Sequence, residues 1–591
     1  MKTKIFVATC LAFSVISSSC SDFLTEDPKG QMVQNNYFSS QNDLDGAVSV
    51  LYAQVQYSVG GAHALSPNWM GDDITALTSG NKDVYREFDS FNVGDNNADS
   101  KTTWNKNYSV IKAANFIINN VEKVPTTDEE IKIGKGQGLF WRAVAYFKLV
   151  RWYGEVPLIL TTDIDFGIGR STVEAIYNQI CADLEEAVRI LPVKYTDAPR
   201  ISDNLNNYIN KGAAQAVLAA VYMARAGYPL NQTQYYSQAA TMAKAVISGV
   251  EKGDYYYKLE QNYKDRFMYV SNPYSQEGVV AVKFNKDNPW GWSGLDSQHS
   301  VCQAYESVTN AGWGDAVGEI KFWKEMPAGP RKDAIYGSNN GKVYVEKYTY
   351  AGQFIDWYQK DADGNYIMSE CHPMFRTLLY GGGKDGNTMG DYTDQQCTWN
   401  SGICSQTLYL VSYSEVLLWY AEAQTRSTNS VDAFSKDCLQ KVLDRSYGGG
   451  TYSAEDFAKN ADDFANKCWM EHGYEVAGYY PALVVRGNDQ LRMNDLKNTF
   501  ANRLADTPVK VTEGVEITEG VKMLGTWSES RNYSTVPSII RKSKFPWFPE
   551  RSVQFSGKRT KRSVQKKRLH TTLIKPEQKV NEDLCSGFIV S

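Results

Sequence analysis

A mostly α-helical scaffold of antiparallel helix pairs, with irregular loop and short-strand insertions, is the fold class this sequence predicts, and three observations predict it. The stretch Leu139 to Pro157 reads LFWRAVAYFKLVRWYGEVP. Phe140, Ala143, Val144, Phe147 and Val150 recur at three- and four-residue steps, and Trp141, Tyr146, Leu149 and Tyr153 widen the apolar face. Such a helix is buried on most sides. Further on, GAAQAVLAAVYMARAG, in a helix beginning near Tyr208, is rich in Ala at close-packing positions. Thr233 to Gly249 supplies a partner through Ala239, Ala240, Ala243 and Val246. A second pair reads at Leu408 to Arg426 and Ser430 to Tyr447. Two helices joined by a short polar turn, with small residues at their contact, are the unit of tetratricopeptide-type repeats.

The remaining elements follow in order. Lys2 and Lys4 precede an apolar run from Ile5 to Ile16, too short to span a bilayer and laid out as a secretory leader. Ser17, Ser18 and Ser19 then lead into Cys20, which resembles a bacterial lipoprotein cleavage site with Cys20 as the acylated first residue. No other segment has eighteen unbroken apolar residues, so no transmembrane helix is expected. Leu44, Ala47, Val48, Leu51 and Val55 form the first helical stripe. A polar excursion near residues 60–103 follows, containing Trp69, Asp72 and Asp73. Trp104, Tyr108, Ile111 and Asn115 then resume helical spacing, and Trp104 is expected in the core.

Gly154 and Pro157 end the long helix, by a left-handed cap and by the inability of Pro to continue. Ser171 and Glu174 predict a capping box opening the stripe Ile176, Ile180, Leu184, Val188 and Leu191. Between the helix pairs, residues 255–405 crowd Gly, Asp, Asn and aromatics around short strand-like runs such as GVVAVKF and KVYVEKY. Asp363-Gly364 predicts a hairpin turn there rather than a calcium loop, because the Gly sits at the wrong position for one.

Composition bounds function. The 591 residues are 42% hydrophobic and 22% charged, enough to bury a large core, and the net charge of −5 gives no nucleic-acid footprint. Aromatic residues reach 13%, with 38 Tyr, 23 Phe and 14 Trp, which serves core and stacking surfaces alike. The five His lack the two-His helical spacing of a zinc protease, and Glu471-His472 reads as a helix-surface pair. No nucleophile elbow or phosphate-cradling Gly-Lys loop is present, so no catalytic residue, metal or cofactor is expected. Eight of the ten Cys remain once Cys10 and Cys20 are set aside, too few for a disulfide framework. Cys371, Cys397 and Cys404 cluster, and one bridge or free thiols are both open.

The Arg-Ala, Tyr-Phe, Leu-Val-Arg and Tyr-Gly-x-x-Pro run of residues 142–157 resembles the signature helix of the SusD/RagB family of outer-membrane nutrient-binding lipoproteins. So does Tyr-Ser-Glu-Val-Leu-Leu-x-Tyr-Ala-Glu-Ala at 413–423, and the opening Cys20 to Pro28 is similar to the family's mature start. Trp313-Gly314 fits a family pattern, whereas Gly329-Pro330-Arg331 replaces an acidic lead. The resemblance implies a leader at 1–19, one SusD-like domain at 20–548 and an atypical tail at 549–591. Residues 541–575 hold twelve Lys or Arg against one acid, which reads as a disordered arm or the product of a frame slip.

It further implies capture of an oligomeric nutrient, most often a glycan, without catalysis, at the outer cell surface. The protein would be held there by its lipid anchor beside a SusC-like TonB-dependent transporter. A peptide-binding member of the same family and a secreted glycan hydrolase are the rival readings. Sugars present apolar C–H faces ringed by hydroxyls, so aromatic platforms flanked by polar groups suit them. Trp69 with Asp72 and Asp73, and Trp290, Trp292, Trp313 and Trp357, are the candidates in irregular segments.

Overall fold

The computed structural model describes residues 37–284 apart from 77–79, 163–166, 203–204 and 269–271, then 314–336, 375–378, 406–496 and 498. It also describes two-residue strands at 343–344, 354–355, 359–360, 366–367, 397–398, 403–404, 509–510 and 519–520. The leader, Cys20, Trp290, Trp292, Trp313, Trp357, Cys371 and the basic tail lie outside the described residues.

The fold is mostly helical, with tetratricopeptide-like helix pairs. The principal helices are α1 (Gln41–Val59), α2 (Ala98–Ile118), α3 (Asp128–Tyr153), α4 (Val173–Ile190), α5 (Lys211–Ala226), α6 (Tyr235–Glu251), α7 (Tyr413–Thr428), α8 (Ala433–Tyr447), α9 (Ala461–Glu475) and the short α10 (Arg486–Arg492). From α1 to α6 each helix packs on the next, α6 packs on α7, and α7 packs on both α8 and α9. The apolar faces of these helices share one core.

The helix α3 is the one around which the others gather. Thr127 caps it by accepting from Glu130 N, and Asp128, Glu129 and Glu130 place negative charge at its N-terminus. Every residue from Gly136 to Tyr153 is buried, including Arg142, Lys148 and Arg151. Burying a guanidinium requires partners. Arg142 meets Asp183 of α4 and Asn115 of α2, and Arg151 meets Asn488 Oδ1 and Leu483 O. Gly154 ends the helix at φ 71°, as the sequence predicts.

Two boundaries differ from the expectation. Thr172, not Ser171, caps α4 by accepting from Ala175 N, while Ser171 N donates to Val156 O at 2.9 Å. The run Leu408–Ser412 is a strand rather than the first turn of α7, because a capping box between Ser412 and Glu415 sets the start of the helix at Tyr413.

Four strands tie the insertions to the frame: β1 (Ile74–Thr75), β2 (Gly278–Val282), β3 (Val317–Gly318) and β4 (Leu408–Ser412). All pair antiparallel, β1 with β3 (Ile74 opposite Gly318) and β2 with β4 (Leu408 opposite Val282). Gln359–Lys360 pairs antiparallel with Tyr366–Ile367, and Asp363-Gly364, where a turn is expected, lies outside the described residues. Cys397 and Cys404 are register partners in another short hairpin.

Candidate ligand-binding face

The polar excursion after α1 folds back onto the core instead of projecting from it. Residues Ser66–Met70 make a single 3-10 turn with Pro67 near its start, and all five are buried. The Trp69 side chain has 0% of its surface exposed. Its Nε1 donates to Asp315 O at 2.8 Å, and its ring meets Tyr85 and Tyr480 at centroid distances of 4.7 and 4.6 Å. Trp69 is therefore a core residue and has no open face for a ligand in this structure, which corrects the expectation of an exposed platform. A large ring placed where three segments converge is drawn inward by its apolar area, and its one polar atom finds a backbone acceptor.

The neighbouring carboxylates have structural partners as well. Arg486 Nε donates to Asp72 Oδ1 at 2.8 Å, and the Asp72 side chain keeps 22% of its surface exposed. Asp73 is buried. Its Oδ2 accepts from Gly478 N at 2.7 Å, and its backbone oxygen accepts from Glu319 N at 3.1 Å. Burial pushes the Asp73 carboxyl up to about 7, against the stabilising bond from Gly478. Gly478 itself sits at φ 64°, a left-handed turn that lets its N–H point at the carboxylate.

Asn68 completes the junction, donating to Tyr480 O at 2.7 Å and accepting from Trp152 Nε1 of α3 at 3.2 Å. Lys82 pairs with Asp315, whose carboxyl is raised by burial and pulled back by that ammonium. Through these bonds and β1–β3, the insertion near 60–103 is riveted to residues 315–319 of the second insertion and to residues 478–486.

The second insertion is anchored from its other side by buried charge. Arg331, in the Gly-Pro-Arg departure, donates to Glu471, Glu475 and Tyr447. Arg445 donates to Glu277 and Glu475. Burial alone would raise the Glu475 carboxyl, but Arg445, Arg331 and Arg266 outweigh it and hold it at about 2. Glu471 and His472 thus face inward, both fully buried, contrary to the surface pair expected. His472 bridges Asp489 and Glu415, and although burial disfavours its charge, those two carboxylates raise its pKa to about 10. Nothing in the local sequence marks these residues as buried, since their partners lie up to 140 positions away.

A sequence profile described as starch-binding and associating with the outer membrane matches residues 22–223. A SusD-like protein of Bacteroides ovatus is 28% identical over 87% of this chain and 88% of its own length. The fold superposes on a SusD homologue from Bacteroides thetaiotaomicron with a TM-score of 0.63 at 20% identity, covering 79% of this chain and 90% of that one.

The chain is similar to the SusD-like family in sequence and in fold. A laminarin-binding SusD-like protein is similar in structure too, at a TM-score of 0.59 and 20% identity, covering 79% of this chain and 94% of that one. Among the described residues, no helix is long and apolar enough to cross a membrane.

Proposed function

We propose that the protein captures an oligomeric glycan at the cell surface and passes it to a SusC-like TonB-dependent transporter, held at the outer membrane through acylated Cys20. The observation that supports this reading is the β1–β3 pairing, which ties residues 74–75 of the first insertion to residues 317–318 of the second beside the helical frame. Trp290, Trp292, Trp313 and Trp357 supply the stacking platforms in this proposal, and Trp313 stands two residues before the buried anchor Asp315. Asp72, partly exposed beside Arg486, offers a hydroxyl acceptor at the rim. The laminarin-binding neighbour and the starch-binding family description support a glycan over a peptide. No catalysis enters the proposal.

Calorimetric titration against plant, host and microbial glycans, with peptide digests alongside, tests it. Binding to at least one glycan is expected, lost on one or two of the four Trp→Ala substitutions with the melting curve in place. Binding to peptides alone, or release of new reducing ends from a glycan, would overturn it.

A further inference from the structure

A cavity of about 200 Å³ opens between α1, residues 205–210, residues 256–257 and β2. It shares no lining residue with the Trp69–Arg486 junction. Its walls include Tyr52, Tyr208, Tyr256 and Tyr274, with Asn206 and Lys283 among the polar groups, and no Asp, Glu or His lines it among the described residues.

The aromatic wall is held in place. Tyr52 and Tyr208 stack at 5.4 Å with an interplanar angle of 23°. The Tyr52 hydroxyl donates to Gln137 Oε1 at 2.7 Å and accepts from Ile209 N at 3.0 Å, so the ring is fixed from below. The Lys283 ammonium lies 4.5 Å from the centre of the Tyr274 ring and donates to Asn207 Oδ1 at 2.7 Å. Asn206 Nδ2 is buried with no hydrogen-bond partner. A buried donor left unpaired is costly, and a bound acceptor removes that cost.

We propose that this cleft is a second carbohydrate subsite, separate from the face between the insertions, that takes a single pyranose ring, either neutral or a uronate. The proposal rests on the glycan-binding reading and adds a place for one residue or branch of the captured chain. Flat tyrosines suit the C–H face of a sugar, and the Asn206 amide suits a ring hydroxyl or carboxylate as acceptor. The volume falls below the roughly 300–1,000 Å³ of pockets that enclose a drug-sized ligand, which fits one ring better than a folded oligomer. The Lys283 ammonium in the lining disfavours amino sugars and Lys- or Arg-bearing peptides.

Saturation-transfer NMR on the full chain, with methyl glucoside, methyl galactoside and glucuronate as probes, tests the cleft, with affinity gels of intact polysaccharides run in parallel. Wild type is expected to transfer saturation to at least one probe. Asn206→Ala, which removes the unpaired donor, should weaken that binding about tenfold. Ala281→Trp, which fills the cleft from a half-buried lining position, should abolish it, with both melting curves unchanged. The Trp→Ala substitutions in the insertions should leave the probe signal in place. Failure of every probe on wild type, or an undiminished signal in both cleft variants, overturns the subsite. Failure of every polysaccharide on the gels, with the probe signal intact, instead overturns capture by the insertions.

Discussion

Arg142 and Asp183 face each other through two parallel hydrogen bonds, Nε to Oδ2 at 2.8 Å and Nη2 to Oδ1 at 2.7 Å, with both side chains buried between α3 and α4. Removing one member of such a pair strands the other in the core. Asp183→Asn is expected to destabilise the protein by about 3–5 kcal/mol, whereas the double change Arg142→Met with Asp183→Leu should recover most of that loss. Urea unfolding of the three proteins checks both statements, and a double variant no more stable than the single one would contradict the second.

Phe147 is fully buried on α3, set edge-on to Tyr177 at 6.2 Å with the Arg151 guanidinium 3.7 Å from its ring centre. Phe147→Ala should cost about 3–5 kcal/mol through lost transfer energy and the cavity left behind. Calorimetric melting measures it, and an unchanged transition would mean the site had refilled or was never closed.

For Trp69 the same scale applies, about 3–5 kcal/mol for Trp69→Ala, because the ring is sandwiched and its Nε1 bonded. Loss of glycan capture in this variant should follow the fraction unfolded. Capture lost with the melting curve unmoved would return Trp69 to the role of platform.

Two buried groups set opposite limbs of the stability profile. His472 has its pKa raised from 6.5 to about 10, so its contribution is complete below pH 6.5 and declines as pH climbs towards 10. Glu475, lowered from 4.5 to about 2, contributes fully above pH 4.5 and less as pH falls towards 2. The midpoint of urea unfolding should therefore fall on both sides of mildly acidic pH. His472→Gln should be less stable at pH 6 and flatter between pH 7 and 10; an alkaline limb as steep as that of wild type would remove His472 as its source.

Cys20→Ala should release the protein from outer membranes without changing its melting curve, since acyl chains supply the attachment in the proposed arrangement. Fractionation after a salt wash decides it, because salt strips any hold exerted by the basic tail. Continued sedimentation would count against acylation at Cys20.

Helices were legible in the sequence where their information is local. The stripe through Phe140, Phe147 and Val150 needs no knowledge of a partner, and neither does the Gly154 stop. Leu408–Ser412 misleads for the opposite reason. Its apolar run suits a buried helix or strand equally, and only pairing with Gly278–Val282 decides. Glu471 and His472 read as a surface pair because charged residues seldom lie inside alone, and the groups that accompany them, Arg331, Asp489 and Glu415, come from other elements. Trp69 is the same lesson for a binding residue: a Trp in a polar, irregular stretch satisfies the composition of a sugar platform, but the Tyr480 that covers it is over four hundred residues away. The cleft beside Tyr52 carried no sequence mark, since its lining is scattered from residue 52 to residue 409.

The junction at Asn68, Asp72 and Asp73 also orders events in time. Their partners Tyr480, Arg486 and Gly478 lie 412, 414 and 405 positions downstream. In contrast, α1 to α6 each contact the helix that follows. A chain emerging from its N-terminus can therefore assemble much of its frame early, at little loop-closure cost, while the junction beneath the proposed ligand face waits for residues 478–486. A chain that stops short of residue 486 would hold helices without the closed junction, so the completeness of the chain is written into the proposed mouth rather than into the frame.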